Sequence, residues 1–198
     1  MDKYGTGQDP YCYPDSRVLR NSLDIRDEKE LEDAERELTL LATDAIQFSP
    51  PPYDLAYLQA IHRQLFGDLY PWAGEIRSID IAKGETRFCH APRIETESRK
   101  LFDNLARQSY FTYLTRDSLV TAAAELYGDL NVIHPFRDGN GRAQRLLFEH
   151  IVINCGYEIS WGGLERQEWL AANVAALYCD YQPMTAIFHR CIGAALSE

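Results

Sequence analysis

No stretch of this chain is apolar for long enough to cross a bilayer, which takes about 20 consecutive apolar residues. The opening MDKYGTGQDPYCYP does not join a basic segment to an apolar run, so no secretory leader is expected. Cysteine is scarce and odd in number, five in 198 residues, with no CxxC pair. That argues against a disulfide framework or a cysteine-held zinc ion, and makes a reducing, cytoplasmic setting the expectation. Basic residues are outnumbered: 20 Lys and Arg face 30 Asp and Glu, for a formal net charge of -10. A field of that sign argues against nucleic-acid partners and anionic membrane surfaces, because phosphate contacts need clustered cations. Any phosphate held here must sit in a local basic pocket that opposes the overall field. Internal repeats and low-complexity runs are missing too. So are a Walker A loop, a kinase HRD loop and a GxGxxG turn after a strand, which removes the common nucleotide folds.

What is present is the composition of one globular domain over 1–198, with 45% hydrophobic and 25% charged residues. Residues 1–26 read as an irregular arm rich in Pro, Gly and Tyr. Asp27 followed by Glu30 resembles a capping box, and a charged helix should run from there to about Ile46, where SPPPYD ends it. Its acidic face, 27–37, reads as solvated surface. A second helix starts near Asp54, with Leu55, Leu58, Ile61 and Leu65 at helical spacing. Residues 75–90 differ: Ile79 and Ile81 alternate with polar residues, Lys83-Gly84 reads as a turn, and Phe88 lies on the return. This is the one good hairpin signal. Helices follow over about 94–108, from Thr115–Asp117 to His134, from about Arg142 to Gly156, over 165–179 and over 182–195. The expected fold is mostly α with one β-hairpin.

The chemistry is concentrated in HPFRDGNGRAQR, His134 to Arg145. Asp138-Gly139-Asn140-Gly141 falls at a helix N-terminus, where backbone N–H groups and the helix dipole attract anions. Gly139 and Gly141 admit close backbone approach, and Asn140 is the next most tolerant type for such a turn. Arg142 and Arg145 share one helix face in a first turn that disfavours cations, which a bound polyanion would offset. Asp138 is a hard carboxylate suited to phosphate-bound Mg²⁺, and His134 is a base of the right strength to take a proton from an attacking hydroxyl.

The segment resembles the signature of the Fic domain, HxFx(D/E)GNGRxxR, at all eight specified positions. The resemblance extends to the flanking helices, the upstream hairpin and the DPYCYP arm, and so covers most of the chain. It implies a protein adenylyltransferase that moves AMP from ATP, with Mg²⁺, onto a Tyr, Thr or Ser hydroxyl. His134 would be the base, Phe136 the anchor of the loop and Asp138 the metal ligand. Gly139, Asn140, Gly141 and Arg142 would hold the α- and β-phosphates, and Arg145 the γ-phosphate. The hairpin would be a flap that docks the target by strand addition, with Thr86, Arg87 and Phe88 over the reacting groups. Trp169 and Asn173 would border the adenosine. No Glu is followed by Gly or Asn, so the inhibitory (S/T)xxxE(G/N) signature is missing. The resemblance then implies a toxin restrained by a separate small antitoxin that sets a Glu against Arg145. Its first candidate targets are the ATPase subunits of DNA gyrase and topoisomerase IV.

Other readings stay open at this point. The same site serves transfer of phosphate, UMP, GMP or phosphocholine, or nucleotide binding without turnover. Arg145 has Glu149 at i+4 as a possible surface partner. His62, His90, His150 and His189 lack metal-ligand spacing and read as structural or exposed. Trp72 and Trp161 read as core or rim aromatics.

Overall fold

The computed structural model describes residues 9–84 and 86–196. Seven α-helices carry the fold among these residues: α1 (Glu28–Ala45), α2 (Leu55–Phe66), α3 (Ile94–Arg107), α4 (Arg116–Ile133), α5 (Asn140–Asn154), α6 (Arg166–Ala176) and α7 (Gln182–Cys191). Several starts follow from local capping. The Asp27, Asp54 and Thr115 side chains accept from the backbone N–H of Glu30, Tyr57 and Ser118, satisfying donors that a helix start leaves open.

Helix α4 is the axis of the core. Leu119, Val120, Ala123, Ala124, Tyr127 and Leu130 on it are all buried, so it is covered on more than one side. Small residues make that possible. Gly128 lies so close to Ala176 and Tyr181 that a Cβ there would meet the Ala176 methyl at 2.8 Å. Helix α5 packs on α4 and α2, and buries Ala143, Leu147, Phe148 and Ile151 completely.

Two short antiparallel ribbons complete the structure. Strands β1 (Ala82–Lys83) and β2 (Thr86–Arg87) pair as Ala82 with Arg87 and Lys83 with Thr86. The expected hairpin over 75–90 is therefore real but regular only at its tip. Its feet bond to something else: Arg77 N–H donates to Pro135 O and Cys89 N–H to Val132 O, both 2.9 Å. The second ribbon, β3 (Tyr157–Ile159) with β4 (Ile192–Ala195), corrects the reading of a helix over 182–195. Arg116 explains the early stop of α7. Its guanidinium binds the His189, Ile192 and Gly193 carbonyls, capping the helix end and leaving the next residues to pair with β3. The helix expected over 165–179 likewise ends earlier, at Ala176.

The N-terminal arm is no loose appendage over its described part. Cys12 and Leu19 form an isolated β-bridge, and Cys12, Val18 and Leu19 are buried in the main core. No helix among the described residues is long and apolar enough to cross a membrane.

Candidate active site

A cavity of about 590 Å³ opens between the N-terminus of α5, the β1–β2 flap and α6. His134, Asp138, Gly139, Asn140, Gly141, Arg142 and Arg145 all border it, as do Thr86 and Phe88 of the flap. The sequence-predicted site is thus one place in space, with one exception. Arg87 alternates to the exposed side of its strand and is not part of the cavity wall.

Helix α5 begins at Asn140, two residues before the expected start. The reason is Gly139, which caps it in a left-handed conformation at φ 74°. No other residue fits there: a Cβ would stand 2.4 Å from a Phe66 ring carbon and 3.1 Å from His62 Nε2. The N–H groups of Asn140 and Gly141 have no intrahelical acceptor in the first turn and point toward the cavity end of the helix. Asp138 Oδ1 accepts from Gly139 N–H at 2.6 Å, which holds that carboxylate beside the nest. Asn140 borders the cavity, with its side-chain amide folded back on Phe136, accepting from Phe136 N–H and donating to Phe136 O, both at 2.8 Å. Its side chain therefore shapes the loop. Phe136 itself is fully buried, as an anchor should be.

His134 is the C-cap of α4 and has φ 50°, uncommon outside glycine. Its Nδ1 lies 3.1 Å from Asn131 O. A carbonyl only accepts, so Nδ1 carries the proton and Nε2 carries the lone pair. The flap supplies the other restraint. The Phe88 ring stacks on the imidazole with centroids 3.8 Å apart and planes at 17°.

The two arginines sit in different surroundings. Arg142 reaches back to α1, bonding the Glu35 carboxylate and the Thr39 hydroxyl, with its guanidinium 4.5 Å from the Phe66 ring centroid. Glu35 also accepts from the Tyr70 hydroxyl. The acidic face of α1, expected to be solvated throughout, thus turns one carboxylate inward onto the site. Arg145 lies near enough to Tyr127 for its charge to act on that hydroxyl, and it has no carboxylate within ion-pair distance among the described residues. Glu149, its expected i+4 partner, instead accepts from Trp161 Nε1 at 2.8 Å; burial raises the Glu149 pKa.

On the far wall, Trp169 and Asn173 of α6 border the cavity. Asn173 donates to Trp169 O, while its Oδ1 is buried without a protein partner among the described residues.

Two further residues that sequence reading left as structural or unremarked hold the loop. Asp9 and Arg137 form an ion pair at 2.6 Å with both side chains almost fully buried. His62 accepts from Gly74 N–H through Nδ1 and donates from Nε2 to Asp138 O, both 2.9 Å. Its ring lies on Phe136, centroids 3.9 Å apart. Burial, only partly offset by the Asp138 carbonyl, lowers the His62 pKa to about 4. Between that value and the ordinary 6.5, the unfolded chain takes up a proton that the folded one refuses. Stability should therefore be full above pH 6.5 and fall as pH drops toward 4, by about 3 kcal/mol from this group. Urea unfolding at pH 7 and pH 4.5, compared with His62→Gln, checks this. Equal losses in both proteins would refute it.

No three His, Cys, Asp or Glu side chains cluster as a metal cage among the described residues. A single carboxylate beside an anion-binding nest does fit a divalent cation that brings its other ligands with it.

Comparison with known proteins agrees with this geometry. The Fic/DOC family model matches residues 52–152. A probable protein adenylyltransferase Fic from Escherichia coli K12 is 40% identical over 98% of this chain and 97% of its own length. Among solved structures, the BepC protein of Bartonella tribocorum with bound AMPPNP superposes with a TM-score of 0.87 at 27% identity, covering 94% of this chain and 97% of that one. The N-terminal Fic domain of a cell filamentation protein of Bartonella quintana, with bound ADP, gives 0.87 at 28% identity, over 94% and 95% of the two chains. With the motif intact, the helical frame shared and the similarity running nearly end to end, the chain belongs to the Fic/DOC family.

Proposed function

We propose that this protein transfers AMP from ATP to a hydroxyl side chain of a target protein. The observation that carries the proposal is one cavity shared by an anion nest, a histidine whose lone pair lies on Nε2, and a β-ribbon at the rim. The relatives named as adenylyltransferases and the AMPPNP bound to the related BepC protein support the same reading.

In this mechanism the α5 nest, through the Asn140 and Gly141 N–H groups and the close approach that Gly139 allows, and the Arg142 side chain hold the α- and β-phosphates. Arg145 holds the γ-phosphate and so turns the α-phosphate toward the flap. Asp138 would hold Mg²⁺, which when bound neutralises phosphate charge. A flap-docked hydroxyl loses its proton to His134 Nε2 while its oxygen attacks the α-phosphorus. The bond from the α-phosphorus to the bridging oxygen breaks, and pyrophosphate leaves. Trp169 supplies an aromatic wall for the base, with Asn173 beside it. Thr86 and Phe88 border the hydroxyl; Arg87, outward on its strand, is left to meet the target chain.

Arg145, unpaired by any carboxylate among the described residues, suits an external glutamate. We assign this to a small antitoxin protein, which makes the enzyme the toxin of a pair. The five free cysteines suit a reducing cytoplasm. The ATPase subunits of gyrase and topoisomerase IV are the first targets to test. Incubating the protein with either subunit and ATP labelled at the α or the γ position should label the subunit only from the α position. Label arriving only from γ would identify a kinase and overturn the proposal.

A further inference from the structure

Arg77 lies in the loop between α2 and the flap, and it is 2% exposed. A buried guanidinium normally faces a carboxylate, yet none stands within ion-pair distance among the described residues. It is surrounded by carbonyl oxygens. Nε donates to His134 O at 2.8 Å, Nη1 to Ile79 O at 2.6 Å, and Nη2 to both Cys89 O and Ile133 O, the latter at 3.2 Å. Two of these acceptors are the feet of the flap. The other two are the last carbonyls of α4, the negative end of that helix and the backbone of the proposed base. The main chain repeats the tie: Arg77 N–H reaches Pro135 O, and Cys89 N–H reaches Val132 O.

We infer that Arg77 is the positioning residue that locks the target-docking flap and the His134 backbone into one rigid frame. The inference rests on the roles proposed above for the flap and for His134. A planar fork with five donors can meet four carbonyls in fixed directions; an ammonium on a flexible stem cannot. The frame explains two features at once. It holds His134 in its left-handed backbone conformation, and it sets the Phe88 ring on the imidazole. Arg77 does not itself border the cavity, so it acts through these groups.

The test is Arg77→Lys in the full chain. Three readouts are needed: AMPPNP affinity, transfer of α-labelled AMP to Escherichia coli extract proteins, and hydrogen exchange by mass spectrometry. Exchange should quicken at least about tenfold in 79–90 and 132–135 only. AMPPNP affinity should stay within about twofold, and transfer should fall roughly ten- to a hundredfold, as misplaced reacting groups cause. Wild-type exchange in the frame with unreduced transfer would overturn the inference. Faster exchange everywhere with weakened AMPPNP binding would also overturn it, because Arg77 would then be a general core residue. If the variant does not fold, the wild type still decides. The Arg77 and Cys89 amides should open as one unit, with protection factors within about threefold, and independent opening would overturn the frame. Wild-type protein that transfers no label refutes the proposed function, while the exchange comparison still reads the frame by itself.

Discussion

Replacing His134 by Ala is expected to lower AMP transfer by about 10²- to 10⁴-fold while ATP affinity stays within about twofold. The separation follows from the site. His134 Nδ1 is committed to Asn131 O, which leaves Nε2 for the proposed proton transfer, and the proposed phosphate contacts lie elsewhere, on the α5 nest and the arginines. Removal of the ring also uncovers Phe88, which now stacks on it. His134→Gln tests whether the loss is that of a base or of a packing surface. Gln restores a body for Phe88 to lie on but accepts no proton at neutral pH, so it should be as inactive as Ala. Transfer from a labelled α-phosphate, beside calorimetric titration with AMPPNP, measures both quantities. Transfer surviving in the Ala variant would remove the proposed base.

The largest stability loss should come from Asp9→Ala. Asp9 and Arg137 meet where both side chains are nearly excluded from water, and Cys12, buried beside them, offers no charge. Burial alone would lower the Arg137 pKa, yet hydrogen bonding and charge attraction from Asp9 raise it overall. Deleting the carboxylate breaks a buried ion pair, which costs about 3–5 kcal/mol. Because Arg137 precedes Asp138 directly, the loss should reach the motif loop as well as the arm. The double variant Asp9→Ala/Arg137→Met should recover most of the stability, since an apolar pair of similar size needs no counter-charge. Urea unfolding of the three proteins checks this. A cost below about 1 kcal/mol for Asp9→Ala would show that the pair is solvated and the arm is not a brace.

The helices were legible in the sequence where local rules decide. Asp27, Asp54 and Thr115 cap the helices they were expected to start, and Leu58, Ile61 and Leu65 face the core at the expected spacing. The early stop of α7 was not legible, because Ile192–Ala195 has no strong preference and Arg116, far away in sequence, decides it. The flap was found but overdrawn. Its alternation runs over 75–90, yet the feet gave their hydrogen bonds to the end of α4 and to Arg77.

The site shows the same division. An anion nest, a helix start and a base within twelve residues are set by the chain's own turn geometry, so HPFRDGNGRAQR can be read without a fold. Family membership came with it. What holds the segment in place comes from elsewhere: Asp9 on Arg137, His62 on Asp138, Glu35 on Arg142 and Arg77 on His134. These are single polar side chains that satisfy buried charges or backbone carbonyls across long sequence separations. Such contacts leave no period, spacing or composition for a sequence reading to detect. Glu35 makes the point: in sequence it is one more acid on a charged helix, and only the packing of α1 against α2, which in turn packs on α5, brings it to Arg142.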